Sequence, residues 1–309
     1  MKRSLVLGVL IVVGGLSLAV SGQAPAGPSA KAIAVTKIEK VKDNLYIITG
    51  SGVEDTTAFS GGNVAVFITD GGVTLVDAKL PGFGPTIVDR VKSVTNKPIT
   101  RIINTHTHSD HTGSNEFFGA SIETIVQENT KANMAKMDEF KGKAQFLPKK
   151  TYTDTLKVGS GKDEIDLYYF GPAHTNGDTF VVFPALRTMH VGDVFAWKAL
   201  PYVDPANGGS VLQGGKTLTK VVNTIKNVDT IINGHIPVSS WNELKEYTQF
   251  LTEFAAFAEK EMKAGKTVDQ AAADYKVDPK FKGYIVSANP QFGGAKANTQ
   301  IAYDELKKK

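Results

Sequence analysis

The stretch Thr105-His106-Thr107-His108-Ser109-Asp110-His111 constrains this chain more than any other. It holds three of the chain's six histidines, with a carboxylate among them. The run before it, Arg101-Ile102-Ile103-Asn104, is β-branched and reads as a buried strand. Gly113 then opens a short helical pattern through Phe118. The cluster therefore lies on a turn leaving the C-terminal edge of a strand, where α/β folds build their sites. His106 and His108 are two apart, and in an extended turn that spacing points both imidazoles the same way. Asp110 and His111 come next and face a second point nearby. Two adjacent sets of hard and borderline donors suit a pair of divalent metals, zinc most naturally. The competing reading is a histidine-rich surface loop that binds nothing. A His-x-His-x-Asp-His arrangement behind a buried strand argues against it.

The remaining pattern is layered. Leu45–Thr49, Asn63–Thr69 and Val73–Asp77 read as strands, the last two joined by a tight turn at Asp70-Gly71-Gly72. Gly50 to Gly62 reads as a glycine- and threonine-rich mobile loop. Pro85–Val94 has helical spacing, and Ile122–Val126 is again a strand. Met134 and Met137, at helical spacing, read as core filler. Ile165–Phe170 is a strand, Thr179–Phe183 and Arg187–Val191 an antiparallel pair, Lys216–Val228 a helix and Thr230–Ile232 a strand. Strands come first, then a helix or two, then the same order again, which is an α+β layering and not strict alternation. From Ser240 the character changes. Ser240-Trp241-Asn242-Glu243 is a capping box. Trp241, Leu244, Tyr247, Leu251, Phe254 and Ala258 then keep a helical stripe to a C-cap at Gly265. Thr267 opens a second short helix, and Gly293-Gly294 with the lysine-rich end reads as irregular tail.

The N-terminus reads as an export signal. Lys2 and Arg3 precede an apolar run from Leu5 to Val20, and Ala19-Val20-Ser21 offers small residues for cleavage. The alternative is a retained membrane anchor, for which the run is short. Residues 1–21 are thus expected to be a signal peptide, 22–40 a linker, 41–239 the catalytic domain and 240–309 a C-terminal helical extension. The chain has no cysteine and so no disulfide or lipoprotein attachment. Its net charge of +4 comes from dispersed lysines and is no nucleic-acid signature. The expected partner is a small-molecule substrate, with no nucleic acid and no stable membrane association after cleavage. No oligomeric state is legible in the sequence.

With the flanking Asn104-Thr105 and Thr112-Gly113, the histidine turn resembles the zinc-binding signature of the metallo-β-lactamase superfamily. From about Val41 to Ser239 the order of elements is similar to that superfamily's four-layer αββα sandwich, two half-domains with the site at their shared edge. His174, Asp193 and His235 each come after a predicted strand beside a glycine, which lets the backbone turn sharply. Gly171-Pro172-Ala173-His174-Thr175 resembles the family's third histidine loop. Val191-Gly192-Asp193 resembles the position of a bridging aspartate in glyoxalase II-like branches, and Gly234-His235-Ile236-Pro237 the last histidine. The resemblance implies two zinc ions per chain. His106, His108 and His174 would hold one, Asp110, His111 and His235 the other, and Asp193 would bridge them. Asp77 matches a position close to the zinc loop, where a carboxylate orients a histidine. Asp178 would do likewise or merely turn its loop. His190 is left over and reads as a strand histidine with a hydrogen bond.

The chemistry that this resemblance implies is hydrolysis: a hydroxide shared by two zinc ions attacks an electrophilic centre, and Asp110 orients it and shuttles a proton. An ester, lactone or thioester is the expected substrate, with β-lactams cleaved weakly. The branch with a cysteine ligand is excluded for want of cysteine, and true β-lactamases usually lack the bridging aspartate. Two other classes compete besides a true β-lactamase. A mononuclear iron oxygenase similar to the persulfide dioxygenases would use His106, His108 or His174 with Asp193. A catalytically idle binding protein would have no reason to keep the complete donor set. The segment Phe195–Ser210 starts at the metals and carries Trp197, Leu200 and Tyr202 among prolines and glycines, so it is expected to line the substrate mouth. Lys198 is a candidate partner for a substrate carboxylate, with a surface lysine as the bland alternative.

Overall fold

A computed structural model describes residues 27–287 and 292–308. The expected signal peptide, residues 1–21, lies outside the described residues. Among the described residues no helix is long and apolar enough to cross a membrane.

Two sheets pack face to face. The first contains β1 (Ile38–Lys42), β2 (Leu45–Ile48), β3 (Val64–Thr69), β4 (Gly72–Val76), β5 (Ile99–Ile103), β6 (Glu123–Gln127) and β7 (Lys150–Tyr152), side by side in that order. Pairing is antiparallel from β1 to β4 and parallel from β4 to β7. The second contains β8 (Thr155–Val158), β9 (Ile165–Tyr168), β10 (Phe180–Phe183), β11 (Thr188–His190), β12 (Thr230–Ile232) and β13 (Ser239–Ser240), again in sequence order. There β11 and β12 run parallel and the other neighbours antiparallel. The helices are α1 (Ala30–Val35), α2 (Gly84–Lys92), α3 (Ser109–Thr112), α4 (Asn115–Phe118), α5 (Glu128–Met134), α6 (Val211–Thr224), α7 (Trp241–Lys263), α8 (Val268–Asp274) and α9 (Ala295–Lys307).

The central strands are apolar on both faces because both faces are covered. In β3, Ala65 and Phe67 point at the second sheet, while Val64 and Val66 face the layer that contains α2. Phe67 meets Phe183 of β10 across the sandwich, ring centroids 5.0 Å apart. Truncating such a ring to alanine costs about 3–5 kcal/mol. On the far side of the second sheet, Phe180, Val182 and Met189 share one core with α6, α7 and α9. The four layers are helix, sheet, sheet, helix, as expected. The C-terminal extension is part of the outer helical layer, since its buried residues belong to the second sheet's own core.

Several expectations need correction. The stretch read as linker up to residue 40 contains α1, whose N-cap Ser29 accepts from Ala32 N, and the start of β1. Helix α6 begins at Val211, not Lys216. Ser210 caps it by accepting from Gln213 N, and tertiary packing overrides the low helix propensity of Gly214 and Gly215. The end of the chain is not an irregular tail: α9 buries Ala295, Asn298, Thr299, Ala302 and Tyr303 on one face. β7 and β8 went unpredicted, being edge strands rich in lysine and threonine. The capping box at Ser240 is present as read, and Thr267, read as opening a second helix, forms another with Gln270.

Candidate metal centre

β5 ends at Ile103, and the chain turns through Asn104–His108 into the single turn of α3. The turn is tied down from inside. Asn104 Nδ2 donates to His111 O at 3.1 Å, and Ala78 N donates to the same carbonyl at 2.7 Å. Asp77, just past β4, adopts φ +70°, a left-handed conformation rare for a residue with a side chain. Its carboxylate holds it there: Oδ1 accepts from Thr105 N, and Oδ2 accepts from Thr105 Oγ1, both at 2.8 Å. Oδ2 also accepts from His111 Nδ1 at 2.7 Å. Asp77 thus contacts both Thr105 and His111.

His106, His108 and His174 bring three ring nitrogens within 4.8 Å of one another. Their tautomers are set by their other contacts. Thr105 gives its hydroxyl hydrogen to Asp77, so it accepts from His106 Nδ1 at 3.0 Å. That leaves His106 Nε2 bare, buried and without a hydrogen-bond partner. His108 Nε2 donates to Asp204 Oδ2 at 2.8 Å, and His174 Nδ1 donates to Tyr202 O at 2.8 Å. His108 Nδ1 and His174 Nε2 face each other at 2.8 Å, a hydrogen-bond distance whose donor depends on the tautomers. Burial, then repulsion from His111 and His174, holds His106 well below the usual imidazole range. Burial, then His108, pushes His174 down to about 4. Three imidazoles whose ring nitrogens converge fit a divalent metal.

Asp110, His111, Asp193 and His235 form the second group, again with donor atoms within 4.8 Å of one another. His235 Nε2 lies 3.1 Å from Asp193 Oδ2 and 3.3 Å from Asp110 Oδ2. His111 Nε2 lies 3.1 Å from Asp193 Oδ1 and 3.5 Å from Asp110 Oδ2. Burial alone would depress both histidines, but the carboxylates outweigh it. Asp193 and Asp110 hold His235 up at about 9, and with Asp77 they raise His111 well above its ordinary value. Conversely, His111 and His235 overcome burial to hold Asp110 down at about 2 and Asp193 well below the carboxylate range. Asp193 Oδ2 is also 3.8 Å from His174 Nε2, so this carboxylate stands between the two groups. Glycine makes the close approach feasible at two places. A Cβ on Gly62 would run into the His111 ring, and one on Gly234 into the Asp193 carboxylate.

Aromatic rings surround the pair of clusters. Tyr202, exposed, stands 5.8 Å from the His108 ring and 5.9 Å from His174. Trp197 and Phe59 stand 6.0 and 5.6 Å from His235. Two further residues of the Phe195–Ser210 segment have contacts of their own. Leu200 is fully buried in the helical-side core and does not line a mouth. Lys198 pairs with Glu243 of α7 at 2.8 Å and lies 5.8 Å from the Tyr284 ring, so its charge is engaged by the C-terminal helices. Asp178 turns its loop, accepting from Thr175 N and Oγ1, and burial raises it to about 7. His190 donates through Nε2 to Asn63 O and accepts from Gly192 N, as read.

Sequence reading missed Asp204, Lys79 and Phe59. Asp204 sits between loop prolines and glycines, with nothing local to mark it. Lys79 is fully buried at φ +57°, donating to Gly62 O at 3.0 Å and Ser60 Oγ at 3.2 Å. Burial, partly offset by Asp110, lowers it to about 7. It clamps the loop whose Gly62 N donates to Asp110 O.

The family model described as the metallo-beta-lactamase superfamily matches residues 58–236, from Phe59's loop to His235. A metallo-beta-lactamase type 2 from Elizabethkingia meningoseptica is 26% identical over 227 residues, covering 71% of this chain and 86% of that protein. The 2,4-dinitroanisole O-demethylase subunit alpha of Nocardioides sp. (strain JS1661) is 30% identical over 158 residues, half of this chain and 45% of that protein. Among solved structures, a metallo-beta-lactamase from Pontibacter korlensis is similar in fold, with TM-score 0.60 at 15% identity over 70% of this chain and 98% of that one.

Proposed function

The chain belongs to the metallo-β-lactamase superfamily and is a metal-dependent hydrolase, and from that premise we propose an exported di-zinc enzyme that opens an ester, lactone or thioester bond of a small molecule and cleaves β-lactams weakly. One observation carries the reading: three imidazole nitrogens, His106 Nε2 among them buried and unpartnered, converge beside a second group in which carboxylates and histidines converge. His106, His108 and His174 would hold one ion and Asp110, His111 and His235 the other, with Asp193 reaching both. When bound, a pair of divalent ions supplies Lewis acidity toward a carbonyl oxygen and acidifies water toward a pKa of ~7. Asp110 is the more exposed of the two carboxylates, 20% against 8% for the side chains, so it is placed to take a proton from attacking water and hand it to the leaving group. Asp77 and Asp204 keep His111 and His108 turned the right way. Phe59, Trp197 and Tyr202 offer apolar faces to the substrate and exclude water. Asp193 adds negative charge between the metal positions, which tempers their Lewis acidity and disfavours efficient β-lactam opening.

Elemental analysis of protein purified without chelator tests the metal reading: zinc near two equivalents is expected, and one equivalent of iron would instead indicate the oxygenase. A panel of lactones, thioesters, aryl esters and β-lactams on zinc-loaded protein tests the substrate class. A β-lactam kcat/KM of about 10⁶ M⁻¹s⁻¹ would make the chain a true β-lactamase, the second reading, which its 26% identity to one favours. Export rests on the basic start, apolar run and small residues before Gly22. Mass spectrometry of native material should find a mature N-terminus near Gly22, whereas an intact Met1 in the membrane fraction means an anchor.

A further inference from the structure

The family match ends at residue 236, and among the described residues the C-terminal helices supply no donor to either cluster. They are nevertheless joined to the three-histidine group by a continuous set of hydrogen bonds. The segment from Leu200 to Ser210 gives two of the three histidines their second partner: Tyr202 O accepts from His174, and Asp204 Oδ2 accepts from His108. Each end of this segment is pinned by one side chain of α9. At its start, buried Asn298 donates through Nδ2 to Pro201 O at 2.9 Å. At its end, Glu305 accepts from Ser210 Oγ at 2.6 Å, Val211 N at 2.8 Å and Leu212 N at 3.2 Å. Those are the first N–H groups of α6, which have no partner within their own helix and favour a negative charge. From Ser210 the tie runs back to the cluster. Ser210 N donates to Ala173 O, Gly209 N to Asp204 O, and Asp204 N to His174 O, at 2.7–2.9 Å.

We infer that α9 is an outer brace of the three-histidine site, with Asn298 and Glu305 as positioning residues that fix Tyr202 and Asp204 and, through them, the tautomers and ring orientations of His174 and His108. The inference rests on the metal role proposed for that cluster. It predicts a selective effect. His111 takes its orientation from Asp77, which Thr105 holds, and no α9 side chain enters that set of bonds.

The test uses the full chain with cobalt(II) as probe, monitoring the visible absorption of each equivalent and its competition with a chelator. His108→Ala supplies the reference spectrum for a protein lacking the three-histidine site. Glu305→Ala should weaken that site about tenfold, the low end of what outer partners of metal ligands contribute, and leave the other within about twofold. Glu305→Gln, which keeps the shape and loses one acceptor, should show a smaller change in the same direction and covers the case in which the alanine variant does not fold. Ala302→Gly, on the buried face of the same helix, should lower Tm and leave both cobalt affinities unchanged. In metal-free protein, amide exchange over residues 202–210 should quicken in the Glu305 variants and not in Ala302→Gly. Equal weakening of both cobalt equivalents, or weakening of neither, overturns the brace. If the wild-type chain takes up no cobalt, the metal role itself has failed. Unchanged exchange over 202–210 then overturns the brace separately, and quickened exchange upholds it.

Discussion

The two clusters share one turn and differ in how they hold charge. At the three-histidine group no carboxylate is among the donors, and burial keeps His106 and His174 neutral. Their outer nitrogens are spent on Thr105 and Tyr202, so the inner ones turn toward the cluster, where His106 Nε2 has no partner. At the other group Asp110 and Asp193 hold protons on His111 and His235. One site is therefore organised for a cation in advance, while the other is a set of ion pairs that a cation must displace. The difference teaches that neighbouring sites on one turn can be given opposite proton requirements simply by where the carboxylates fall.

The harshest test of that comparison is His108→Ala. Zinc content should fall from two equivalents to one and hydrolysis by on the order of 10⁴-fold; loss of both ions would mean the clusters are not separable. Next is the pH dependence of folding in chelator-stripped protein. His235, raised to about 9, contributes stability that is fully present below the unfolded value of ~6.5 and lost as pH rises through about 9. His174, lowered to about 4, contributes stability that is present above ~6.5 and lost as pH falls through about 4. Urea unfolding should accordingly show the destabilisation by His235→Ala shrinking as pH rises through about 9, and that by His174→Ala shrinking as pH falls through about 4. Destabilisations that do not change with pH would show that the clusters do not differ in protonation. Asp204→Asn should loosen only the three-histidine cluster, by ~10–100-fold in metal affinity, whereas Asp77→Asn, which faces His111 and also holds the Thr105 hydroxyl beside His106, should loosen both, read by chelator competition. The smallest effect is at the rim: Trp197→Ala should raise KM about 2–10-fold with both zinc ions retained. An unchanged KM with a collapsed Tm would place Trp197 in the core and remove it from the substrate mouth.

Legibility tracked locality. His106, His108, Asp110 and His111 lie within one turn, and His174, Asp193 and His235 each come after a strand beside a glycine, so their types and positions could be read directly. Asp204 acts on a histidine 96 residues away, and no local pattern announces that. Lys79 looks like any surface lysine, and only the closed structure shows it inside. α9 was obscured by Gly293-Gly294 and its lysines, although Ala295, Asn298, Thr299, Ala302 and Tyr303 repeat at helical spacing and mark its buried face. The start of α6 was misplaced because Gly214 and Gly215 argue against a helix that Ser210 and packing against α7 impose.

The division of donors between the sheets also sets a sequence of events in time. Four donors arrive together on the turn after β5, but the last, His235, lies 124 residues beyond His111 and comes from the other sheet. Closing so long a stretch is slow compared with forming a local turn. Complete coordination of a metal would thus require the sheets to have docked, so capture would come at the end of folding. Ions that bound the closed form alone would stabilise it by an amount that rises with the logarithm of their free concentration.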